Sequence, residues 1–360
     1  MRKDRLFQGL GEQLGEITLN AIRPAEGEAV TKAGLQVLTS YNLLWKGSMV
    51  VPGFPPIWHP ANAPKKVKPD KGTYLMDPAR HWYPKFPLEP LFRALRITKP
   101  EMRLNNVDLI TDRRNLRLLL DFVGGRTQKP FRIGVGVFKN TILFSCASDR
   151  RAMIRARNFQ GHGYEFEKVY TRRPSLLNHS HTHHRVISYT IGDVRTVLRY
   201  EADGCTASGK GLSRQSIPSS SGKSSTGTQI CKWGALVDPS QIIEIKTGPI
   251  RRRLNDAKTL EQLWLADTPI LCSGRYDESG LFTDVTQENC LESGKLSEWE
   301  KGHQTKLQKL AALLRLIVNT AHSALWDECA LVASEGRLKI FDLADQRGTA
   351  LPIDLRSMWG

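Results

Sequence analysis

The sequence has no long hydrophobic run. Its longest apolar stretch, residues 310–318, contains Arg315 and is shorter than the ~20 apolar residues that a membrane-spanning helix needs. Residues 1–16 are polar and lack the continuous apolar segment of a secretory signal peptide. We therefore expect neither a membrane-embedded protein nor a secreted one.

Cysteine is scarce. The chain has six cysteines, and no two of them form the C-x-x-C pair that begins many zinc sites. In the reducing compartment of an unsecreted protein, these thiols are expected to stay unpaired. Neither a disulfide framework nor a cysteine-based zinc site is therefore expected to support the function.

Acidic residues are outnumbered. The 52 Lys and Arg residues exceed the 36 Asp and Glu residues and give a formal net charge of +16. This excess predicts attraction to polyanions, with nucleic acid as the first partner and an anionic membrane surface as the second. The sequence P-K-K-V-K at 64–68 resembles a short nuclear-import signal, so we expect the nucleus, with the cytoplasm as the alternative.

Apolar residues are plentiful enough for a core. A hydrophobic content of 40%, with eight Trp and twelve Phe, excludes an intrinsically disordered chain. We expect a proline- and aromatic-rich N-terminal arm over 1–104 that packs on the core, because proline interrupts regular structure there. The core is predicted over 105–345, with a flexible Ser- and Gly-rich insertion at 206–228, and a C-terminal tail over 346–360.

Strand patterns dominate the middle of the chain. The predicted strands are 132–138 and 141–146 in one hairpin, 185–191 and 194–203 in a second, and 241–247 and 269–273. Apolar residues at helical spacing predict helices over 115–123 and 296–325. The mixture predicts an α/β (α+β) fold in which helices flank a central mixed sheet that carries a carboxylate-lined cleft.

Two short strands carry charged residues in alternation. Because alternate side chains of a strand share a face, Y-E-A-D at 200–203 places Glu201 and Asp203 together. I-I-E-I-K at 242–246 likewise places Glu244 and Lys246 together. A carboxylate among three isoleucines costs several kcal/mol unless a cation or hydrogen-bond donors satisfy it.

Two interpretations of these strands follow from the residues alone. A buried salt bridge between Glu244 and a neighbouring arginine is the structural one. The functional one is the metal-binding core of PD-(D/E)xK nucleases, in which carboxylates hold Mg²⁺ or Mn²⁺ and the lysine orients water or offsets charge on the phosphoryl group.

In this order, the motifs resemble those of the DXO-type decapping and 5′-end RNA nucleases. Arg113 in T-D-R-R-N-L matches an early substrate-binding arginine, and G-Y-E-F-E at 163–167 matches the G-Φ-x-Φ-E motif. E-A-D at 201–203 and E-I-K at 244–246 match the E-Φ-D and E-Φ-K motifs. The resemblance covers roughly residues 105–290. It departs from the family at Tyr200, where glycine is usual.

The resemblance implies a role for each matching residue. One or two Mg²⁺ or Mn²⁺ ions would be held by the side chains of Glu167, Glu201, Asp203 and Glu244 and by the backbone carbonyl of Ile245. Glu201, Asp203, Glu244 and Lys246 would be catalytic. RNA would be bound by Arg113, Lys258 and Gln262.

The resemblance also implies an activity. Such enzymes hydrolyse the 5′ ends of RNAs with incomplete, NAD or triphosphate ends, some then degrade RNA 5′ to 3′, and some bind a nuclear 5′–3′ exoribonuclease. We therefore expect a metal-dependent hydrolase that acts in mRNA 5′-end quality control. The alternatives are a non-catalytic RNA-binding or exonuclease-partner protein of the same fold, and a DNA-directed nuclease with the same metal core.

Overall fold

The computed structural model describes most of the chain in eleven segments. They are residues 6–23, 29–61, 63–75, 77–126, 129–146, 153–156, 161–209, 222–252, 256–323, 328–343 and 351–360. Of the insertion predicted at 206–228, residues 210–221 lie outside the described residues.

The described residues form many strands, with helices inserted between some of them. The strands are β1 (Leu10–Thr18), β2 (Lys32–Leu44), β3 (Met49–Gly53), β4 (Ile57–Trp58), β5 (Lys65–Lys66), β6 (Gly72–Leu75), β7 (Leu109–Asp112), β8 (Phe131–Phe138), β9 (Thr141–Cys146), β10 (Met153–Ala156), β11 (Thr171–Arg172), β12 (Ser180–Ile191), β13 (Val194–Glu201), β14 (Gly204–Cys205), β15 (Ile230–Gly234), β16 (Ile242–Pro249), β17 (Ile270–Tyr276), β18 (Leu281–Asn289), β19 (Glu328–Ser334) and β20 (Arg337–Leu343). The helices are α1 (Pro78–Trp82), α2 (Glu89–Thr98), α3 (Arg113–Val123), α4 (Gly163–Tyr170), α5 (Asp256–Ala266), α6 (Lys295–Gly302) and α7 (Gln304–Ser323).

Two mixed sheets organise the fold. The larger has the order β1-β20-β19-β8-β9-β7-β13-β12-β2-β3-β15, and the smaller has the order β11-β4-β14-β16-β17-β18-β5. A third, two-stranded sheet pairs β6 with β10. In the larger sheet, β13 pairs antiparallel with β12 and parallel with β7. The predicted class, mixed sheets flanked by helices, is confirmed.

Helices cover both faces of the larger sheet. Neighbouring strand residues point to opposite faces, and in β13 Leu198 packs in one buried cluster while Val197 packs in another. The cluster of Leu198 includes apolar residues of α3 and α7, and the cluster of Val197 includes those of α2. Burial on both faces explains why only Arg195 and Glu201 of β13 are exposed, since a sheet with one wet face would expose alternate residues.

The two sheets meet at the predicted carboxylate strand. Strand β13 ends at Glu201, the chain passes through Ala202 and Asp203, and β14 then joins the smaller sheet by pairing Gly204 with Ile243 of β16. Glu201 and Asp203 therefore lie where the chain crosses from one sheet to the other. The neighbouring strand of the smaller sheet, β16, carries Glu244 and Lys246.

The N-terminal third differs from the predicted arm. Strands β1, β2 and β3 lie within the larger sheet, where β2 pairs with β12 and with β3. Their other partners, β20 for β1, β12 for β2 and β15 for β3, lie far along the chain, so local sequence patterns carry little information on this pairing. The domain boundaries at 104 and 345 stay a prediction.

The last long helix also differs from the prediction over 296–325. It is divided into α6 and α7, which are separated at His303. His303 Nδ1 lies 2.8 Å from the carbonyl oxygen of Trp299, and its ring stacks on the Trp299 ring.

Among the described helices, none combines the length and apolar character that crossing a membrane requires.

Candidate active site

Glu244 is the most deeply buried carboxylate of the predicted site. Its residue is 2% exposed, and its two oxygens are bound by different cations. Arg113 Nη1 donates to Oε2 at 2.8 Å, and Lys246 Nζ donates to Oε1 at 2.5 Å. Burial alone would raise the pKa of Glu244, but Arg113 and Lys246 outweigh it and lower the pKa to about 2. The structure therefore confirms both the predicted shared face and the arginine salt bridge.

Asp203 is joined to the same strand through the backbone. The N–H of Ile245 donates to Asp203 Oδ2 at 2.7 Å, which fixes the link between the sheets against β16. Burial, and then the charge of Glu244, raise the pKa of Asp203 to about 6. The carboxylate thus stands beside Glu244 without a cationic hydrogen-bond partner among the described residues.

Glu201 and Glu167 complete a group of four carboxylates. Glu201 is open to a cleft on one side. Desolvation by the protein on its other sides, and then the charge of Asp203, raise its pKa to about 8. Burial, and then the charges of Asp203 and Glu201, raise the pKa of Glu167 well above its usual value. Both line the same cleft as Asp203. Glu167, Glu201 and Asp203 therefore face one cleft, and the charge of a neighbouring carboxylate adds to burial in raising the pKa of each.

Helix α4 holds Glu167 at the cleft. Asp70 is 3% exposed, and its Oδ1 accepts the backbone N–H of Glu165 in the first turn at 3.0 Å. At the other end, Thr171 Oγ1 donates to the carbonyl oxygen of Glu167 at 2.7 Å. Because Asp70 lies far from α4 in the sequence, no local pattern could have identified it as a cap.

Gly274 allows α4 to pack closely on the smaller sheet. A Cβ at this position would lie 2.5 Å from Cε2 of Phe166 and 2.9 Å from Cδ1 of Phe282, and both rings are fully buried. Only a glycine fits there without moving the helix that carries Glu167. Gly274 therefore fixes the position of Glu167 through packing.

Tyr200 supports Arg113. The guanidinium carbon of Arg113 lies 5.6 Å from the centroid of the Tyr200 ring, which is 4% exposed. Such a cation–π contact favours one orientation of the guanidinium. Tyr200, which departs from the DXO-type pattern, thus helps to orient the Arg113 guanidinium toward Glu244.

The other two predicted RNA-binding residues lie on α5. Lys258 pairs with Asp121 of α3 and, at 2.9 Å, with Glu261, which is 2% exposed. Gln262 is half-buried on the same helix. Lys258 therefore connects α5 to α3, the helix that begins with Arg113, and its role toward RNA stays a prediction, as does that of Gln262.

The cleft is a cavity of about 510 Å³ that extends well beyond the carboxylates. Aromatic residues line it, and so do the basic residues Lys71, Lys168 and Arg173. Of the aromatic residues, Tyr74 and Tyr164 stack at a ring-centroid distance of 3.9 Å. The sequence analysis did not identify this lining, because its members come from separate segments with no shared motif.

The carboxylates fit a divalent cation by their chemistry. Four oxygen-bearing side chains, three of them with raised pKa, are the donor set that Mg²⁺ and Mn²⁺ prefer. In the part of the chain that the structure describes, no three His, Cys, Asp or Glu side chains are already arranged around one ion position.

The fold and site define a two-sheet protein with a carboxylate-lined cleft, and known proteins share this architecture. The chain belongs to the family described as Domain of unknown function (DUF8563), whose profile matches residues 13–359. No curated protein matches the sequence.

Solved structures of Rai1 and Dxo1 share the fold. Candida albicans Rai1 in complex with pU5 and Mn²⁺ aligns with a TM-score of 0.63 and 14% identity over 96% of this chain and 98% of that one. Schizosaccharomyces pombe Rai1 in complex with 3′-FADP aligns with a TM-score of 0.61 and 12% identity over 91% and 98%. Kluyveromyces lactis Dxo1 in complex with manganese aligns with a TM-score of 0.57 and 11% identity over 94% and 97%. The predicted resemblance to the DXO-type family is confirmed for the fold.

Proposed function

We propose that the protein is a metal-dependent hydrolase of RNA 5′ ends that acts in mRNA 5′-end quality control. The observation that carries the proposal is the meeting of Glu167, Glu201 and Asp203, all with raised pKa, beside the buried Glu244–Lys246 pair. Burial and neighbouring carboxylates make it costly to ionise these groups unless a cation binds them, and such perturbed pKa values are typical of functional sites. The reactions proposed are removal of a cap, an NAD cap or a triphosphate, with 5′–3′ exonucleolytic digestion as a further activity.

The metal would be one or two Mg²⁺ or Mn²⁺ ions. Glu167, Glu201, Asp203, Glu244 and the carbonyl of Ile245 would hold them. When bound, such an ion polarises the phosphate and lowers the pKa of a bound water. Manganese is present in the structures of two proteins with this fold, which supports the choice of a divalent cation.

The protein's own residues have distinct tasks in this proposal. Lys246 keeps one N–H bond to Glu244 and has other N–H groups to offer, since its side chain is 28% exposed. These can orient the attacking water or hydrogen-bond to the phosphoryl oxygens as negative charge develops. Arg113 holds Glu244 ionised, and Arg113, Lys258 and Gln262 would contact RNA.

RNA would reach the site through charge and shape. The net charge of +16 attracts phosphates over a distance set by ionic strength, so affinity should fall as salt rises. Rai1 with this fold has been solved with pU5, which supports an RNA ligand. A nuclear 5′–3′ exoribonuclease as partner and a nuclear location, with the cytoplasm as the alternative, belong to the same proposal.

Product analysis tests the proposal. Wild-type protein and the variant Glu201→Ala/Asp203→Ala would be incubated with Mg²⁺ or Mn²⁺ and with RNAs bearing a triphosphate, an unmethylated cap, an NAD cap or a monophosphate. Single-stranded DNA of the same sequence is the control substrate. We expect wild-type protein alone to release products from the RNA 5′ ends.

Three results would overturn the proposal. Equal product from both proteins would remove these carboxylates from catalysis. Cleavage of DNA alone would establish a DNA-directed nuclease. RNA binding without any cleavage under either metal would establish the non-catalytic alternative.

A further inference from the structure

Trp45 is the one aromatic residue among the large, exposed apolar side chains of the described residues. It is 59% exposed and lies in a single 3-10 turn, Trp45–Gly47, between β2 and β3. The turn is held in place, because Tyr83 donates its hydroxyl to the carbonyl oxygen of Gly47 and Leu44 donates its N–H to Ser48 at 2.8 Å. An indole is thus exposed to solvent on a fixed turn.

Aromatic rings surround Trp45 on the protein side. The His181 ring lies 5.2 Å away, centroid to centroid, with an angle of 33° between the planes. The Trp82 ring lies 5.7 Å away at 65°, and His81 packs against Trp82 at 4.4 Å. Together these rings restrict Trp45 to a narrow range of orientations.

The ring group shares a cavity with the carboxylates. Trp45, Trp82 and His181 line the same cavity as Glu201 and Asp203. Lys71 and Arg173 also line it, are exposed, and form no ion pair with an acidic residue within the described segments. A ligand here therefore meets an aromatic surface and two available cations next to the candidate metal ligands.

We propose that Trp45 and His181 form a stacking platform for a nucleobase of the RNA whose 5′ end enters the carboxylate site. The proposal rests on the proposed function and deepens it by assigning a base-binding subsite. A nucleobase matches both features of the cavity, since its planar ring stacks on aromatic side chains while its phosphates pair with basic ones. A partner protein that covers Trp45 is the competing occupant.

Base-dependent binding separates these occupants. The probes are a 5′-phosphorylated oligoadenylate of five nucleotides and an abasic ribose–phosphate oligomer of the same length, both with a 3′ fluorophore. Affinity is measured by fluorescence anisotropy in EDTA, so cleavage cannot interfere. The variants are Trp45→Ala, Trp45→Phe and the control Leu236→Ala, which removes a 45% exposed side chain outside the cavity.

We expect Trp45→Ala to weaken oligoadenylate binding roughly 5- to 150-fold, which is the effect of losing one base-stacking contact. Binding of the abasic oligomer should not change, Trp45→Phe should restore most of the affinity, and Leu236→Ala should bind as wild type does. An unchanged oligoadenylate affinity in Trp45→Ala would overturn the platform and favour a protein partner. An equal loss for the abasic oligomer would also overturn it.

The same variants keep this proposal distinct from the proposed function. Base-dependent binding that is lost in Trp45→Ala, in a wild-type protein that cleaves no RNA with Mg²⁺ or Mn²⁺, would keep the platform and reject the hydrolase. Normal cleavage and unaltered base-dependent binding in Trp45→Ala would keep the hydrolase and reject the platform.

Discussion

Arg113 Nη1 lies 2.8 Å from Glu244 Oε2, and this contact joins the first residue of α3 to the middle of β16. Both side chains are largely buried, at 13% and 3% exposure. The pair connects the larger sheet, whose strand β7 leads into α3, with the smaller one. It therefore stabilises the junction of the sheets and keeps Glu244 ionised.

The first prediction concerns this pair. Arg113→Met should lower the free energy of unfolding by about 3 kcal/mol, the lower end of the cost of leaving a buried charge unpaired, since Lys246 still contacts Glu244. Urea unfolding measures the change. In Arg113→Met/Glu244→Gln much of the loss should be recovered, because the buried carboxylate is then gone and Lys246, whose side chain is 28% exposed, keeps contact with solvent.

A surface pair serves as the control for Arg113. Arg251 and Glu278 lie 2.9 Å apart, but both side chains are more than four-fifths exposed. Arg251→Met should leave the unfolding midpoint unchanged within error. A loss in Arg113→Met no larger than that in Arg251→Met would show that the buried pair does not stabilise the junction.

Lys246 gives the second prediction. Lys246→Met should lower the single-turnover cleavage rate by roughly 100-fold or more, the usual effect of losing one donor that stabilises developing charge. Affinity for RNA in EDTA should stay within a few-fold of wild type, because the basic residues Lys71 and Arg173 still line the cleft. If the rate constant is unaltered, Lys246 serves only to pair with Glu244.

Gly274 gives the third prediction. Gly274→Ala should reduce both stability and cleavage, because the added methyl group meets Phe166 and moves α4 with Glu167. We expect a loss of about 1–3 kcal/mol, typical of an overpacked core. Gly302→Ala is the control, since a Cβ at that position would meet nothing within 4 Å beyond its own helix. Thermal unfolding of both variants decides the point, and equal midpoints would contradict the packing account.

The fourth prediction concerns His183 and the pH dependence of the free energy of unfolding. His183 is 2% exposed, and its Nδ1 lies 3.0 Å from Asn42 Oδ1. Burial, and then the charges of Arg185 and His184, lower its pKa well below 6.5. Below pH 6.5 the unfolded chain therefore binds a proton that the folded protein does not, so His183 lowers stability as the pH falls.

Comparing His183→Gln and His179→Gln with wild type isolates the contribution of His183 to the pH dependence of stability. The carboxylates with raised pKa act in the opposite direction, because the folded protein binds their protons first, so the wild-type slope alone is not diagnostic. Between pH 7.5 and 5.5, His183→Gln should lose about 1.4 kcal/mol less stability than wild type. His179→Gln, at an exposed position, should follow wild type. Parallel curves for all three proteins would contradict a neutral, buried His183.

Local sequence patterns predicted the fold class and the surroundings of Glu244, but not the pairing of distant strands. The alternation in E-I-K at 244–246 predicted that Glu244 and Lys246 share a face, and the isoleucines predicted the burial of Glu244, because both depend only on neighbouring residues. The hairpin β8–β9 was predicted for the same reason. The hairpin β19–β20 carried a usable signal too, which is Gly336 in its two-residue turn. Glu335 and Gly336 both have positive φ, as a tight hairpin turn requires, and glycine adopts such a conformation readily.

Contacts between distant segments could not be predicted. Asp70 caps α4 from 95 residues away, and β2 pairs with β12 over a similar range, with Asn42 opposite His183 at a separation of 141 residues. Trp45 is followed by Lys46 and Gly47, which both have positive φ in the structure. Of the two, only the glycine is a turn signal that can be read from the sequence. A single sequence gives no information on such pairings, because they depend on the packing of the whole fold.

Metal binding tests the central claim most directly. Mn²⁺ would be titrated by calorimetry into wild-type protein, Glu167→Gln and Glu165→Gln; Glu165 is the control because it lies on the same helix and pairs with Lys168 on its surface. We predict one or two ions bound by wild type and by Glu165→Gln, and at least roughly tenfold weaker binding by Glu167→Gln. Equal Mn²⁺ affinity in Glu167→Gln and wild type, or no binding by wild type, would contradict the account.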